Sequence, residues 1–422
     1  MHLSVPRWFR RAALAATALA VGSATLLTAH PQRAAGAQPP FKIGLLIPTS
    51  GNFAAPGEFM KQGLELYLAE HHDMLGGRHV VIDQADTQGN PAIGLTEARR
   101  LVEQDHVDVI VGPLSNAVDQ AIIPYLTAHK VPAIYPVLSP DDITQRTPAH
   151  YVVRTSAASS QTTQPLGDYA YKVLKYRKVA TIAFDFSFGW QSIGGMVATF
   201  QGDGGKVEKQ IWTPLTASDY SPYLSEIPRN VDAVFCSFSG AAAVNFIKQY
   251  KAFGLKMPLV CQGNTVDEST LPATGPAAVG IISALHYSAA LDTPANKAFV
   301  AAYTKAYGHE PSYYAEGTFD AGLILDHAIA SLHGNVANTQ AFLEALRSVH
   351  VSDAPRGPIA FDAYGNPVEN VYIRRTEEVH GTLEDVVIKT YPHVSQFWTF
   401  NPKTFLAHPV YSRTYPPCNA CT

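Results

Sequence analysis

HVVIDQADTQGNPAIGLTEARRLVEQDHVDVIVGPLSNAVDQAIIPYLTAHKVPAIY, residues 79–135, is the stretch on which the fold turns. Its opening HVVID, His79–Asp83, reads as a strand. Residues 91–104 place Ile93, Ala98, Leu101 and Val102 on one helical face, and Val107–Val111 returns to an apolar strand. A second helix over 116–128 and a further strand, Val131–Tyr135, complete the run. Short apolar runs separated by helices predict a parallel sheet covered by helices, because parallel neighbours need a long crossover between them.

The same rhythm extends both ways. Upstream, Phe41–Ile47 (FKIGLLI) is a strand, Pro48 to Gly57 a turn-rich loop, and 58–74 a helix with Phe59, Leu64, Leu66, Tyr67 and Met74 at helical spacing. Downstream come helix 164–175, strand Val179–Phe184 and helix 190–201, which the glycine-rich Gly202–Gly205 closes. Strand Val207–Trp212, helix 220–227, strand Ala233–Cys236, helix 241–253 and strand Leu259–Cys261 follow. Helices at 294–307 and 313–333 and strand-like segments at 368–375 and 386–391 close the pattern. Two such halves predict two α/β lobes, first connected through the Ser/Thr-rich Arg154–Gln164.

The 422 residues are 46% hydrophobic and 16% charged, with net charge −4, so the chain is long enough for more than one core. Residues 1–37 hold Arg7, Arg10, Arg11 and Arg33 and no acid, which leaves the remainder at −8. That balance lacks the basic footprint of a nucleic-acid binder. Arg7, Arg10 and Arg11, the apolar Ala12 to Ala29 and the small-x-small Ala35-Gly36-Ala37 predict a cleaved secretory signal over residues 1–37. The competing reading is a membrane anchor, but alanine dominates the stretch and is only weakly hydrophobic. No cysteine precedes Cys236, so the predicted export is to the periplasm as a soluble protein, not a lipoprotein. Cys418 and Cys421 form a C-x-x-C whose simplest reading is a local disulfide in a C-terminal tail, 416–422. Cys236 and Cys261 sit in strand-like runs and fit either buried thiols or one bridge between neighbouring strands.

Ligands of open α/β sheets bind at the carboxyl ends of the strands. That rule selects the loops 48–57, 112–117, 136–141, 185–190, 237–240 and 262–268. Ser115 or Asn116 falls at a helix N-cap, where free backbone N–H groups favour a carboxylate. Ser139 brings a second hydroxyl, and Phe188 and Trp190 flank a glycine in a polar loop, whereas Phe186 reads as core. Ser239 and Asn264 contribute small polar side chains. No nucleophile elbow, zinc-binding helix or phosphate loop is present, so no enzyme, metal or cofactor is expected. His71-His72-Asp73 is no metal site, since adjacent helical residues diverge by about 100°.

These loops resemble those of the leucine/isoleucine/valine-type substrate-binding proteins of ABC importers, the type I periplasmic binding fold. The resemblance rests on "IGLLIPTSGNFAAPG", "GGRHVVIDQADTQGNPAIGLTEARRLVEQDHVDVIVGPLSNA", "VPAIYPVLSPDDITQ", "YVVRTSAASSQ", "FDFSFGW", "ASDYSPYL" and "YYAEGTFDAGLIL", over about residues 41–390. It implies two doubly wound lobes joined by three crossover strands: 41–157 plus 288–363, and 161–285 plus 366–415. The crossings fall near Thr155–Ser160, Leu285–Ala289 and Asp362–Gly365. It implies a monomer that closes on a small ligand and docks on permease subunits, with a signalling receptor of the same fold as the alternative. Ser115, Asn116 and Ala117, with Leu138 and Ser139, would hold a ligand carboxylate, and Phe188 would cover it. Asn264 stands where an amino-acid binder carries an acid, with Asp267 and Glu268 three and four residues on. Together with Phe53 and Pro56 in the first loop, this predicts a carboxylate without an α-ammonium, an aromatic acid over a branched-chain amino acid.

Overall fold

A computed structural model describes residues 38–421. The expected signal segment therefore lies outside the described residues. Strands β1 (Phe41–Ile47), β2 (Met74–Leu75), β3 (Arg78–Asp86), β4 (Val109–Val111), β5 (Ala133–Tyr135) and β6 (Val152–Arg154) form one sheet in the order β2-β3-β1-β4-β5-β6. Helices α1 (Ala54–Glu70), α2 (Pro91–Glu103) and α3 (Asn116–His129) are its crossovers. After α4 (Thr163–Lys172) the second sheet begins with β7 (Lys178–Phe184), α5 (Ser187–Gly202), β8 (Lys206–Thr213) and α6 (Ser221–Ser225). It continues through β9 (Ala233–Ser237), α7 (Gly240–Ala252), β10 (Leu259–Gln262), α8 (Leu271–Thr274) and β11 (Ile282–Leu285).

The chain then supplies α9 (Pro294–Tyr307), α10 (Tyr313–Ser331) and α11 (Thr339–Arg347). Next come β12 (Val351–Ala354), β13 (Gly357–Phe361), β14 (Pro367–Val379), β15 (Thr382–Val394) and α12 (Pro402–Ala407). The second sheet runs β12-β13-β14-β11-β10-β9-β7-β8, with β15 on β14. Its β8-β7-β9-β10-β11 core is parallel, and β14 joins antiparallel to β11. Parallel cores thus match the expectation, while antiparallel β2 and the β14–β15 hairpin make both sheets mixed. Strands buried on both faces by helices become continuous apolar runs, and β4 (VIV), β5 (AIY) and β9 (AVFCS) are wholly buried.

Three differences from the expectation matter for the site. Helix α1 begins at Ala54, four residues early, because a proline in a first helical turn forfeits only an N–H that would have no partner. Pro56 therefore lies inside the helix. Helix α5 begins at Ser187, so Phe188 and Trp190 sit in its first turn and not in a loop. The 351–361 segment, expected in the first lobe, hydrogen-bonds through β13 to β14 of the second sheet.

Cys236 and Cys261 face one another on adjacent β9 and β10, and their sulfurs are bonded, with Cα atoms 4.4 Å apart. Cys418 and Cys421 are also joined, and Ala420 N–H donates to the Val207 carbonyl at 3.2 Å, so the tail packs against β8.

Candidate ligand-binding site

The carboxyl ends of the two sheets' strands meet at one small cavity, with about 20 Å³ open to a water-sized sphere. Phe53, Leu114, Ser115, Asn116, Leu138, Phe186, Phe188, Ser239 and Asn264 line it, so each of the six strand-end loops contributes.

Ser115 is the N-cap of α3, yet its side chain makes no capping bond and its buried Oγ has no protein partner. Backbone N–H groups at a helix start lack intrahelical acceptors, so the hydroxyl and the helix end together can receive an anion. Asp119, one turn on, would oppose one if charged. Burial instead holds its carboxyl well above the usual range, Arg154 opposing the shift, so the charged form is disfavoured. Asn116 reaches across with Nδ2, donating to Ser159 Oγ at 2.9 Å.

The opposite wall is neutral as well. Asn264 Nδ2 donates to Tyr313 Oη at 2.7 Å and Tyr314 Oη at 3.2 Å, and Ser239 Oγ lies 2.7 Å from Tyr314 Oη. Asn264 Oδ1 is buried without a partner. Phe186 and Phe188 supply the ring wall, their centroids 6.2 Å apart and tilted by 33°.

Loops of the two sheets touch around the cavity. Asn52 Nδ2 donates to the Ser239 carbonyl at 3.3 Å, and Ala242 N–H donates to Asn52 Oδ1 at 2.8 Å. Gly240 between them has φ +61, and a Cβ there would lie 2.2 Å from the Asn52 carbonyl oxygen. Only glycine permits that approach.

Seven of the ten expected site residues share the cavity: Phe53, Ser115, Asn116, Leu138, Phe188, Ser239 and Asn264. Three stand outside its lining. Ser139 forms a bridge with Ala158, its N–H donates to the Ala157 carbonyl and its hydroxyl accepts from Arg154 Nη1. That arrangement places Ser139 at the first connection between sheets, outside the cavity lining. Pro56 is buried in α1, and Ala117 lies in α3 beside the lining. Trp190 Nε1 donates to Asp185 Oδ1 at 3.0 Å, which holds it away from the cavity. Asp267 and Glu268 do not line the cavity either: Glu268 Oε1 accepts Ala289 N–H at 3.0 Å, so neither replaces Asn264. The sequence reading missed Leu114, Phe186 and the two supporting tyrosines; the strand-end position of Phe186 was the available signal. Among the described residues, no group of three His, Cys, Asp or Glu could hold a metal, and no helix is long and apolar enough to cross a membrane.

Two parallel-cored sheets closing their strand ends over a small neutral cavity define a solute-binding protein. Residues 40–380 match the periplasmic binding protein family, and the chain belongs to it. Leu/Ile/Val-binding protein homolog 6 of Brucella melitensis is 30% identical over 360 residues, 83% of this chain and 91% of the relative. A solute-binding protein of an ABC transporter from R. palustris, solved with benzoate, is 31% identical. It superposes with a TM-score of 0.80 over 85% of this chain and 98% of its own. An isoleucine-bound branched-chain amino acid binding protein from Streptococcus pneumoniae shares the fold. Its TM-score is 0.72 at 20% identity, over 85% of this chain and 100% of its own. The protein binds solute for an ABC transporter and is not an enzyme.

Proposed function

We propose that this protein captures an aromatic carboxylate in the periplasm and delivers it to the permease subunits of an ABC importer. The observation that carries the reading is the cavity lining, which pairs Phe186 and Phe188 with an unpartnered Ser115 hydroxyl at a helix N-terminus and contains no charged side chain. An α-ammonium would be desolvated there against the neutral Asn264 amide, a poor exchange for water. A carboxylate needs only donors. The benzoate held by the R. palustris relative supports the same choice.

In this reading residues 1–37 direct export and are removed, and the mature chain is a soluble monomer without a lipid anchor. The two lobes are 41–157 plus 288–350 and 161–285 plus 351–415, since β12 and β13 join the second sheet, and they rotate about the crossings near Thr155–Ser160, Leu285–Ala289 and 348–350. A hinge of a few residues absorbs such rotation without disturbing either core. Small-angle scattering tests it: the radius of gyration falls when benzoate is added, and an unchanged radius at saturation rules out closure.

Ser115→Ala tests the carboxylate end. Hydrogen bonds to charged groups contribute about 1.5–3 kcal/mol, so calorimetry should show roughly 10- to 150-fold weaker benzoate binding. Unaltered affinity would remove Ser115 from the ligand.

A further inference from the structure

The second wall of the cavity has a pattern that benzoate alone does not use. Asn264 Nδ2 is committed to Tyr313 and Tyr314, which leaves its Oδ1 as a buried acceptor without a partner in a residue that is 4% exposed. Ser239, 3% exposed and also on the lining, shares a proton with the Tyr314 hydroxyl at 2.7 Å. Both side chains bond the same Tyr314 oxygen and both line the cavity. A hydroxyl has one donor and spare acceptor capacity, and so does the Tyr314 oxygen, which already takes the Asn264 N–H. With that bond made, the Tyr314 proton is free for Ser239 Oγ, and the Ser239 proton for the cavity. The wall then presents one acceptor and one donor, both neutral.

We propose that Asn264 and Ser239 form a recognition pair for a ligand hydroxyl, so that the preferred ligand is a ring-hydroxylated aromatic carboxylate. The ligand O–H donates to Asn264 Oδ1, and its oxygen accepts from Ser239 Oγ. Tyr313 and Tyr314, from the first turn of α10, are positioning residues: they fix which way the amide faces. This rests on the aromatic-carboxylate reading of the cavity. An ammonium would satisfy the acceptor but would meet the Ser239 donor unfavourably. An unsubstituted ring would bury the Asn264 oxygen unpaired, and sites built around a hydroxyl discriminate strongly against ligands lacking one.

Calorimetry with benzoate and with 2-, 3- and 4-hydroxybenzoate, on the full mature chain, tests the pair. At least one hydroxybenzoate is expected to bind ten- to a hundredfold tighter than benzoate. Asn264→Leu should bring that ratio to about one, and Tyr314→Phe, which removes a single oxygen, should reduce it severalfold in a protein that still folds. Benzoate binding as tightly as all three hydroxybenzoates would overturn the hydroxyl pair while leaving the carboxylate reading intact. A preference surviving both substitutions would overturn the assignment to Asn264. Failure of every aromatic acid to bind would remove the reading beneath the proposal, and the proposal with it.

Discussion

Arg356→Met is expected to destabilise the protein by about 3–5 kcal/mol at pH 8, the range for stripping one partner from a buried ion cluster. Arg356 lies in the turn between β12 and β13, 1% exposed. Its Nε donates to Asp320 Oδ2 at 2.8 Å and lies 3.1 Å from Glu316 Oε1, and Nη1 lies 3.3 Å from Glu369 Oε2. Its Nη2 donates to the Thr155 carbonyl at 2.7 Å, at the first connection between the sheets. His286 stands at the second, with Nε2 3.2 Å from Ser156 Oγ and 3.8 Å from Glu316 Oε2. Three carboxyls therefore pair with this one guanidinium, Glu369 also feeling the charge of Arg154, while burial keeps His286 well below its usual range and uncharged.

The loss should depend on pH. Burial raises Glu369 to about 7 and holds Glu316 well above the usual range, with Arg356 opposing the shift in each. A raised folded pKa means the native state holds the proton more tightly than the unfolded chain. The stability Glu369 contributes is therefore complete below about 4.5 and is lost as pH rises through about 7. Without Arg356 the carboxyls resist ionisation further, so the deficit widens with pH and narrows toward pH 5. Urea unfolding of both proteins at pH 5 and pH 8 measures this. A deficit below 1 kcal/mol at pH 8 would mean that the cluster carries little of the fold's stability.

Those arginines also mark where the sequence stopped being informative. Arg154, Arg356 and Arg374 are fully buried, and nothing in their local sequence distinguishes them from the surface arginines that the side chain ordinarily implies. Their partners arrive from distant elements: Arg154 Nε bonds Asn366 Oδ1, 212 residues away. The parallel cores, by contrast, were legible because burial on two faces writes an unbroken apolar run into strands such as VIV and AVFCS. The β14–β15 hairpin was read as two short segments. Glu377, Glu378, Glu384 and Asp385 interrupt the apolar pattern, while the turn at Gly381, φ +84, lets thirteen-residue strands pair almost to their ends. At the site, strand-end position found the loops, but the side-chain roles of Ser139 and Ser115 differ only through long-range partners. Arg154 and Ala158 occupy the first, and no protein group occupies the second.

Asn264→Asp should reverse the ligand class. The substitution keeps the shape of the side chain, and Tyr313 and Tyr314 can turn their own protons toward the new carboxylate in place of accepting from the amide. Those two donors favour ionisation, so at pH 7 the cavity would carry a fixed negative charge facing an anionic ligand. At an effective dielectric constant of about 20, two like charges some 6–8 Å apart repel by about 2–3 kcal/mol, which corresponds to roughly 30- to 150-fold weaker binding of an aromatic acid. The same charge supplies the partner that an α-ammonium lacks in the native cavity, so leucine binding should strengthen while benzoate binding weakens. Lowering the pH until the new carboxyl protonates should restore the aromatic acid, provided the ligand itself remains ionised. Calorimetry of benzoate and leucine against both proteins settles the matter. Tight leucine binding by the native protein, with no response to benzoate, would instead make this a branched-chain amino acid receptor and require Asn264 to tolerate a desolvated ammonium.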